Sequence, residues 1–158
     1  MALNYEYKSQ LEISKAQLDR AINLFLEHED YTSAITLAGA AEEILAKYLL
    51  EEGKLPAYES IKKSTLEGQS ELGFPLYGQK EFNHAMNNPR NLLKHRKQDG
   101  SVYEDFRLEA KKMLYRAIVN FTRLSGGTTM SIEKYLTIEP FAALPFFPCY
   151  DSRYDSLK

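Results

Sequence analysis

The chain has a single cysteine, Cys149, so no internal disulfide can form, and a reducing, cytoplasmic setting is the expectation. No stretch approaches the roughly 18 consecutive apolar residues of a membrane span. The amino terminus, MALNYEYKSQLE, lacks the basic start and apolar block of a signal peptide, so an unprocessed, soluble chain without a membrane partner is expected. With three histidines (His28, His84, His95) and one cysteine, the ligands for a Cys/His zinc site are too few, and no metal or cofactor is expected. Charge of one sign is also missing, since 20 Lys and Arg stand against 22 Asp and Glu, for a net charge of −2. That balance excludes a surface coated in positive charge and leaves room for a local basic site.

What is present is globular. The 158 residues are 44% hydrophobic and 27% charged, one domain's worth of chain. A chain this long buries roughly 70% of the surface it exposes when unfolded, enough for a core without disulfides or structural metal.

Apolar spacing at helical period predicts an all-α, up-and-down bundle of four to five main helices. The first spans residues 6 to 28 with Leu11, Leu18, Ile22 and Phe25 on one face. Asp30 is placed to cap a second helix from Tyr31 to about Glu52, whose stripe is Tyr31, Ala34, Ile35, Ala38, Ala41, Leu45, Tyr48 and Leu49, with Gly53 after its end. Its small residues, Gly39 among them, permit close approach of a neighbour. A third helix is expected from Pro56 to near Gly68, followed by a turn-rich connector with Phe74 and Leu76 as anchors. The fourth covers about Gln79 to Lys97. The fifth runs from about Tyr103 to Leu124 and stops at Gly126-Gly127.

Residues 1–126 are thus the expected helical domain. Residues 127–158 form an extension with a short helix capped by Ser131, after which Pro140, Pro145 and Pro148 forbid a long one. Phe141, Phe146, Phe147, Tyr150 and Tyr154 predict that this aromatic, proline-rich segment packs on the bundle or on a partner subunit.

Chemistry concentrates on the fourth helix. His84, Asn88, Asn91 and His95 fall on one polar stripe beside an apolar side that runs from Leu92 through Ala85 and Pro89 to Phe82. Asn and His are weak helix formers with directional hydrogen bonds, so the stripe is either a binding surface or an interhelical polar contact. Arg90, Lys94, Arg96 and Lys97 supply four positive charges without an intervening acid. Pro89 leaves two geometries open: a new helix capped by Asn88, which would set Arg90 and Asn91 among free N–H groups suited to phosphate, or one kinked helix. On the second helix Glu42 lies within the apolar stripe and Glu43 points the other way. A buried carboxylate needs a partner, and the candidates are Arg90 or His95 on the functional reading, Arg20 or Arg116 on the structural one.

The segment Arg90-Asn91-Leu92-Leu93-Lys94-His95 resembles the Arg-polar-x-x-x-His signature of HEPN domains. The alanine-rich second helix, AITLAGAAEEILAKYLL, and the order of helices resemble that family over about residues 10 to 124. Pro89 before the arginine and the aromatic tail depart from the family's minimal pattern. The resemblance implies a dimer in which the Arg/His motifs of two subunits meet in one cleft; many members are metal-independent ribonucleases and others only bind. On that basis Arg90, Asn91, His95 and Glu42 are the candidate catalytic residues, and Asn88, Lys94, Arg96, Lys97 and His84 the candidate binding residues. Imidazole suits removal of a 2′-hydroxyl proton and guanidinium suits charge on a phosphate. The expected partners are a second copy of the chain, RNA or a nucleotide, and an antitoxin-like protein. The alternatives are a non-catalytic dimerisation module that binds a nucleotide or phosphate, and a structural bundle.

Overall fold

Six helices and, among the described residues, no strand make up the computed structural model, which describes residues 6–72, 78–95, 100, 102 and 104–140. They are α1 (Gln10–Glu27), α2 (Tyr31–Glu51), α3 (Ala57–Leu72), α4 (Gln79–Lys94), α5 (Phe106–Ser125) and α6 (Met130–Ile138). The fold is the all-α bundle that the apolar spacing predicts. None of the described helices is long and apolar enough to cross a membrane.

Local sequence explains most of the ends. Ser9 and Glu12 form a reciprocal capping box on α1, the Glu12 N–H donating to Ser9 Oγ and the Ser9 N–H to Glu12 Oε2. Asp30 accepts from the Ser33 N–H at 3.1 Å and starts α2 as expected. Gly126 closes α5 in the left-handed conformation at φ 73°. Other boundaries differ from expectation. Thr129, not Ser131, caps α6 by accepting from the Ile132 N–H. The third helix runs through Gly68 to Leu72, because a glycine stops a helix only where it turns left-handed, and Gly68 does not. The fourth ends at Lys94. Phe74, Leu76 and the aromatic residues after Pro140 lie outside the described residues.

The central element is α2, packed against α1 on one side and α5 on the other, with α4 closing on α2, α3 on α5 and α6 on α1. Ala34, Ala38 and Ala41 are fully buried, so the backbones of α1 and α5 come close to α2. Leu18, Ile22, Phe25, Leu45 and Leu114 fill the space between. Leu11, expected in the α1 stripe, is exposed. In its place Ser14 is buried one turn on, its hydroxyl donating to the Leu11 carbonyl at 2.9 Å. On the outer side α6 buries Ile132 and Tyr135, the tyrosine ring meeting Phe25 edge-on at 5.5 Å. Burial pushes the Tyr135 hydroxyl pKa well up.

One polar cluster lies inside this apolar frame. Arg116 of α5 donates from Nε and Nη2 to Glu42 Oε1 of α2, at 3.2 and 2.9 Å. Its Nη1 donates to the Met86 carbonyl of α4 at 3.2 Å, and its guanidinium lies 4.9 Å from the centre of the Tyr58 ring of α3. One turn along α5, Asn120 accepts from the Ala57 N–H at 2.7 Å and donates to the Glu42 carbonyl at 3.3 Å. The first of these bonds satisfies a donor that the opening turn of α3 would otherwise leave unpaired.

Because Glu42 is only 4% exposed, removing its partner strands a buried charge. Arg116→Met is expected to lower unfolding stability by about 3–5 kcal/mol in urea titrations, and the double replacement Glu42→Met/Arg116→Met to lower it less than that single one. A loss under about 1 kcal/mol for Arg116→Met contradicts this account, since that is the scale of an exposed ion pair.

Candidate functional site

The buried face of α4 is made by Phe82, Met86 and Pro89, with Leu93 packed at the edge of the core. On a helical wheel this face is centred about 90° from Leu92, so it keeps Phe82 and Pro89 of the expected apolar side but is turned about 50° beyond the middle of the arc that the sequence suggested. The rotation changes the environment of every polar residue nearby. His84 and Asn91 face solvent, Asn88 is half-buried with its amide donating to Glu104 Oε1 at 3.4 Å, and Arg90 comes round against α2. The polar stripe is therefore the outer face of α4 and does not border its core.

Helix α4 continues through Pro89. Proline inside a helix costs about 3 kcal/mol because its i−4 carbonyl loses a donor. The burial of Pro89 and the bond from Arg116 to the neighbouring Met86 carbonyl support the helix there. No helix begins at Asn88, so the free N–H groups that a new first turn would have offered a phosphate beside Arg90 and Asn91 are not formed.

Arg90 lies across Gly39 of α2. A Cβ at residue 39 would stand 2.9 Å from both Cδ and Nε of the arginine. Glycine within a helix is less stable than alanine by about 0.5–1 kcal/mol and is found where another group must come close. Beyond Gly39 the guanidinium reaches Glu43, donating from Nη2 to Oε2 at 2.6 Å, while its buried Nε has no hydrogen-bond partner among the described residues. The Arg90 side chain is 14% exposed and that of Glu43 is 52% exposed.

Lys47, one turn on along α2, is 3.9 Å from Glu43. The carboxyl pKa of Glu43 is lowered, first by the hydrogen bond from Arg90, against a smaller opposing effect of burial, and further by the charges of Arg90, Lys47 and Lys94. Two cations, Arg90 and Lys47, thus lie within 4 Å of one carboxylate, and the charge of Lys94 reaches it through space.

His95 caps α4 with extended backbone, φ −121° and ψ 129°, its N–H donating to the Asn91 carbonyl at 3.0 Å. It is exposed and has left the helix, so ideal-helix angles do not relate its ring to Arg90. Lys94 is exposed beside it; Arg96 and Lys97 lie outside the described residues. Glu42 faces Arg116, the structural alternative of the sequence reading, and it is Glu43 that holds Arg90. Sequence reasoning missed Glu43 because it lies off the apolar stripe. The row Gly39, Glu43, Lys47 carries the signal that was available, a glycine inside an alanine-rich helix one turn before an acid and two before a base.

Beside this patch an open cleft of about 260 Å³ lies between α2, the start of α3, α4 and α5. The buried Glu42 and Arg116 reach its base, Pro56, Tyr58 and Leu50 add apolar surface, and Glu43 and Lys47 belong to both cleft and patch. Among the described residues no three His, Cys, Asp or Glu side chains are grouped to hold a metal ion.

The ion pair has a defined pH signature. The folded pKa of Glu43 lies below its ordinary 4.5, so the pair contributes fully above about pH 4.5 and is lost as pH falls through the lower folded value. Glu43→Gln is expected to reduce stability at pH 7 by less than about 1 kcal/mol, because the carboxylate is half-exposed. Urea midpoints of the variant and wild type should converge as pH drops toward 3, and a gap that widens in acid contradicts the pairing.

Compared with family models, with curated proteins and with solved structures, the chain matches none.

Proposed function

We propose that this chain is a HEPN-like domain that binds RNA through the cationic patch at the end of α4 and, as a homodimer, cleaves it without metal. The observation that supports this most is the gathering of Arg90, Lys94 and Lys47 around Glu43, beside an exposed His95. A phosphodiester is an anion that such an excess of positive charge attracts. In the proposed reaction the His95 imidazole takes the proton of a ribose 2′-hydroxyl, and the 2′-oxygen attacks phosphorus. The bond from phosphorus to the 5′-oxygen breaks, leaving a 2′,3′-cyclic phosphate, and the leaving oxygen takes a proton from an imidazolium or water. Arg90 steadies the charge on the phosphate oxygens. Because Arg90 is directed onto α2 while His95 stands off the end of α4, a second copy is the natural way to bring both groups to one phosphate.

One observation favours a second reading, a binding module that does not cleave: Arg90 is already engaged by Glu43, as in a site built to hold an anion in competition with a carboxylate.

A mixed RNA pool incubated in EDTA with wild type, His95→Ala and Arg90→Ala tests both readings, with single-stranded RNA affinity measured in parallel. The expected result is cleavage by wild type to cyclic-phosphate ends, lowered about 100-fold or more in His95→Ala with binding retained, and loss of both activities in Arg90→Ala. Binding that needs Arg90, without cleavage by wild type, leaves the second reading alone. No binding by wild type overturns both.

A further inference from the structure

Gly39 is an ordinary helical residue by its backbone. It sits in the middle of α2 without a positive φ, amid Ala38, Ala40 and Ala41, where alanine is the better helix former. Its lack of a side chain therefore answers to space and not to conformation. The space is taken by the stem of Arg90, whose Cδ and Nε both lie 2.9 Å from where a Cβ would stand, closer than real Cβ contacts come. Glu43, which takes the Arg90 hydrogen bond, is one turn further along the same helix, and Lys47 one turn beyond that.

We propose that Gly39 is a positioning residue for the anion site: it seats the arginine stem in the surface of α2 so that the guanidinium is held at Glu43 beside Lys47 and Lys94. The inference deepens the reading above and rests on it only for the identity of the ligand as RNA. An alanine here does not meet rigid backbone. It meets a side chain that can swing outward, so the bundle survives while Arg90 leaves its place.

The test uses Gly39→Ala, Arg90→Ala and the double variant, each in the full chain, with three measurements: thermal melting, the titration of the Glu43 carboxyl by carbon NMR, and affinity for single-stranded RNA. Gly39→Ala is expected to melt no lower than wild type, because alanine favours the helix. Its Glu43 should titrate higher than in wild type, in the same direction as in Arg90→Ala, and the double variant should add nothing. RNA affinity should fall about tenfold to a hundredfold, the scale of one charge-assisted hydrogen bond, and the double variant should bind no more weakly than Arg90→Ala.

Unchanged Glu43 titration and RNA affinity in Gly39→Ala overturn the role of Gly39, even where Arg90→Ala weakens RNA binding. If Arg90→Ala leaves RNA binding intact, the RNA reading fails, and the Glu43 titration still decides whether Gly39 seats the arginine. Should Gly39→Ala fail to fold, recovery of folding in the double variant identifies the clash with Arg90 and sustains the proposal. Failure of the double variant as well overturns it, since Gly39 would then be needed for helix packing alone.

Discussion

A carboxylate and a guanidinium, Glu42 and Arg116, are enclosed together in the bundle, each 4% exposed. Taking two such charges out of water costs several kcal/mol each, and the cost is offset only when nearly every donor and acceptor finds a partner. Here the partners come from four helices: the carboxylate from α2, the Met86 carbonyl from α4, the Tyr58 ring from α3 and the guanidinium from α5. Asn120, a turn away, joins the backbone of α2 to the first turn of α3. An apolar contact tolerates sliding, but these bonds do not. Shifting one helix by a residue moves it about 1.5 Å along its axis and turns it about 100°, which breaks the set at once. The cluster therefore acts on register more than on net stability.

Register is what the candidate site depends on. Arg116 bonds α4 one residue from the carbonyl that Pro89 leaves without its helical donor, so the element with the largest local backbone penalty is held at the point of penalty. With α4 fixed there, Arg90 falls over Gly39 and reaches Glu43. Glu42 and Glu43 are neighbours in sequence, and the roughly 100° between them on α2 divides their work: one is bound into the core, the other holds the exposed cationic patch.

How much of this was legible in the sequence follows from which signals are local. The all-α class, the Asp30 cap, the stop of the fifth helix at Gly126 and the burial of Glu42 all rest on spacing within one helix or on a single turn, and the structure has each of them. The orientation of α4 was legible only in part, because Phe82 and Pro89 are on the expected apolar side while the buried face also takes in Met86 and leaves Leu92, the apolar residue that set the wheel, only half-buried. Arg90, expected as a candidate partner of Glu42, instead reaches Glu43, because a long side chain at the edge of an apolar face can lay its stem on a neighbour and keep only its tip near water. The choice among partners for Glu42 needed the meeting of residues 74 positions apart, which periodicity along one helix does not encode. His95 falls inside the fourth helix expected over about Gln79 to Lys97, yet α4 ends at Lys94 and His95 itself is extended, a stop that no adjacent proline or glycine marks.

The near balance of charge on the whole chain bears on what such a site can do. Long-range attraction of a polyanion scales with the field of the whole molecule, and a net charge of −2 supplies none of the right sign. Recognition then has to act within about 10 Å, the distance over which salt at 0.1 M screens exposed charge. A cluster in which Arg90, Lys47 and Lys94 share one carboxylate is suited to that range, because Glu43 holds Arg90 in place before any ligand arrives and so lowers the cost of ordering it. On the proposed reading, the same carboxylate competes with an incoming phosphate for the guanidinium, which keeps affinity for a single phosphate modest; a second copy presenting the same patch to the same strand would then raise the effective concentration of cations without raising the charge of either subunit.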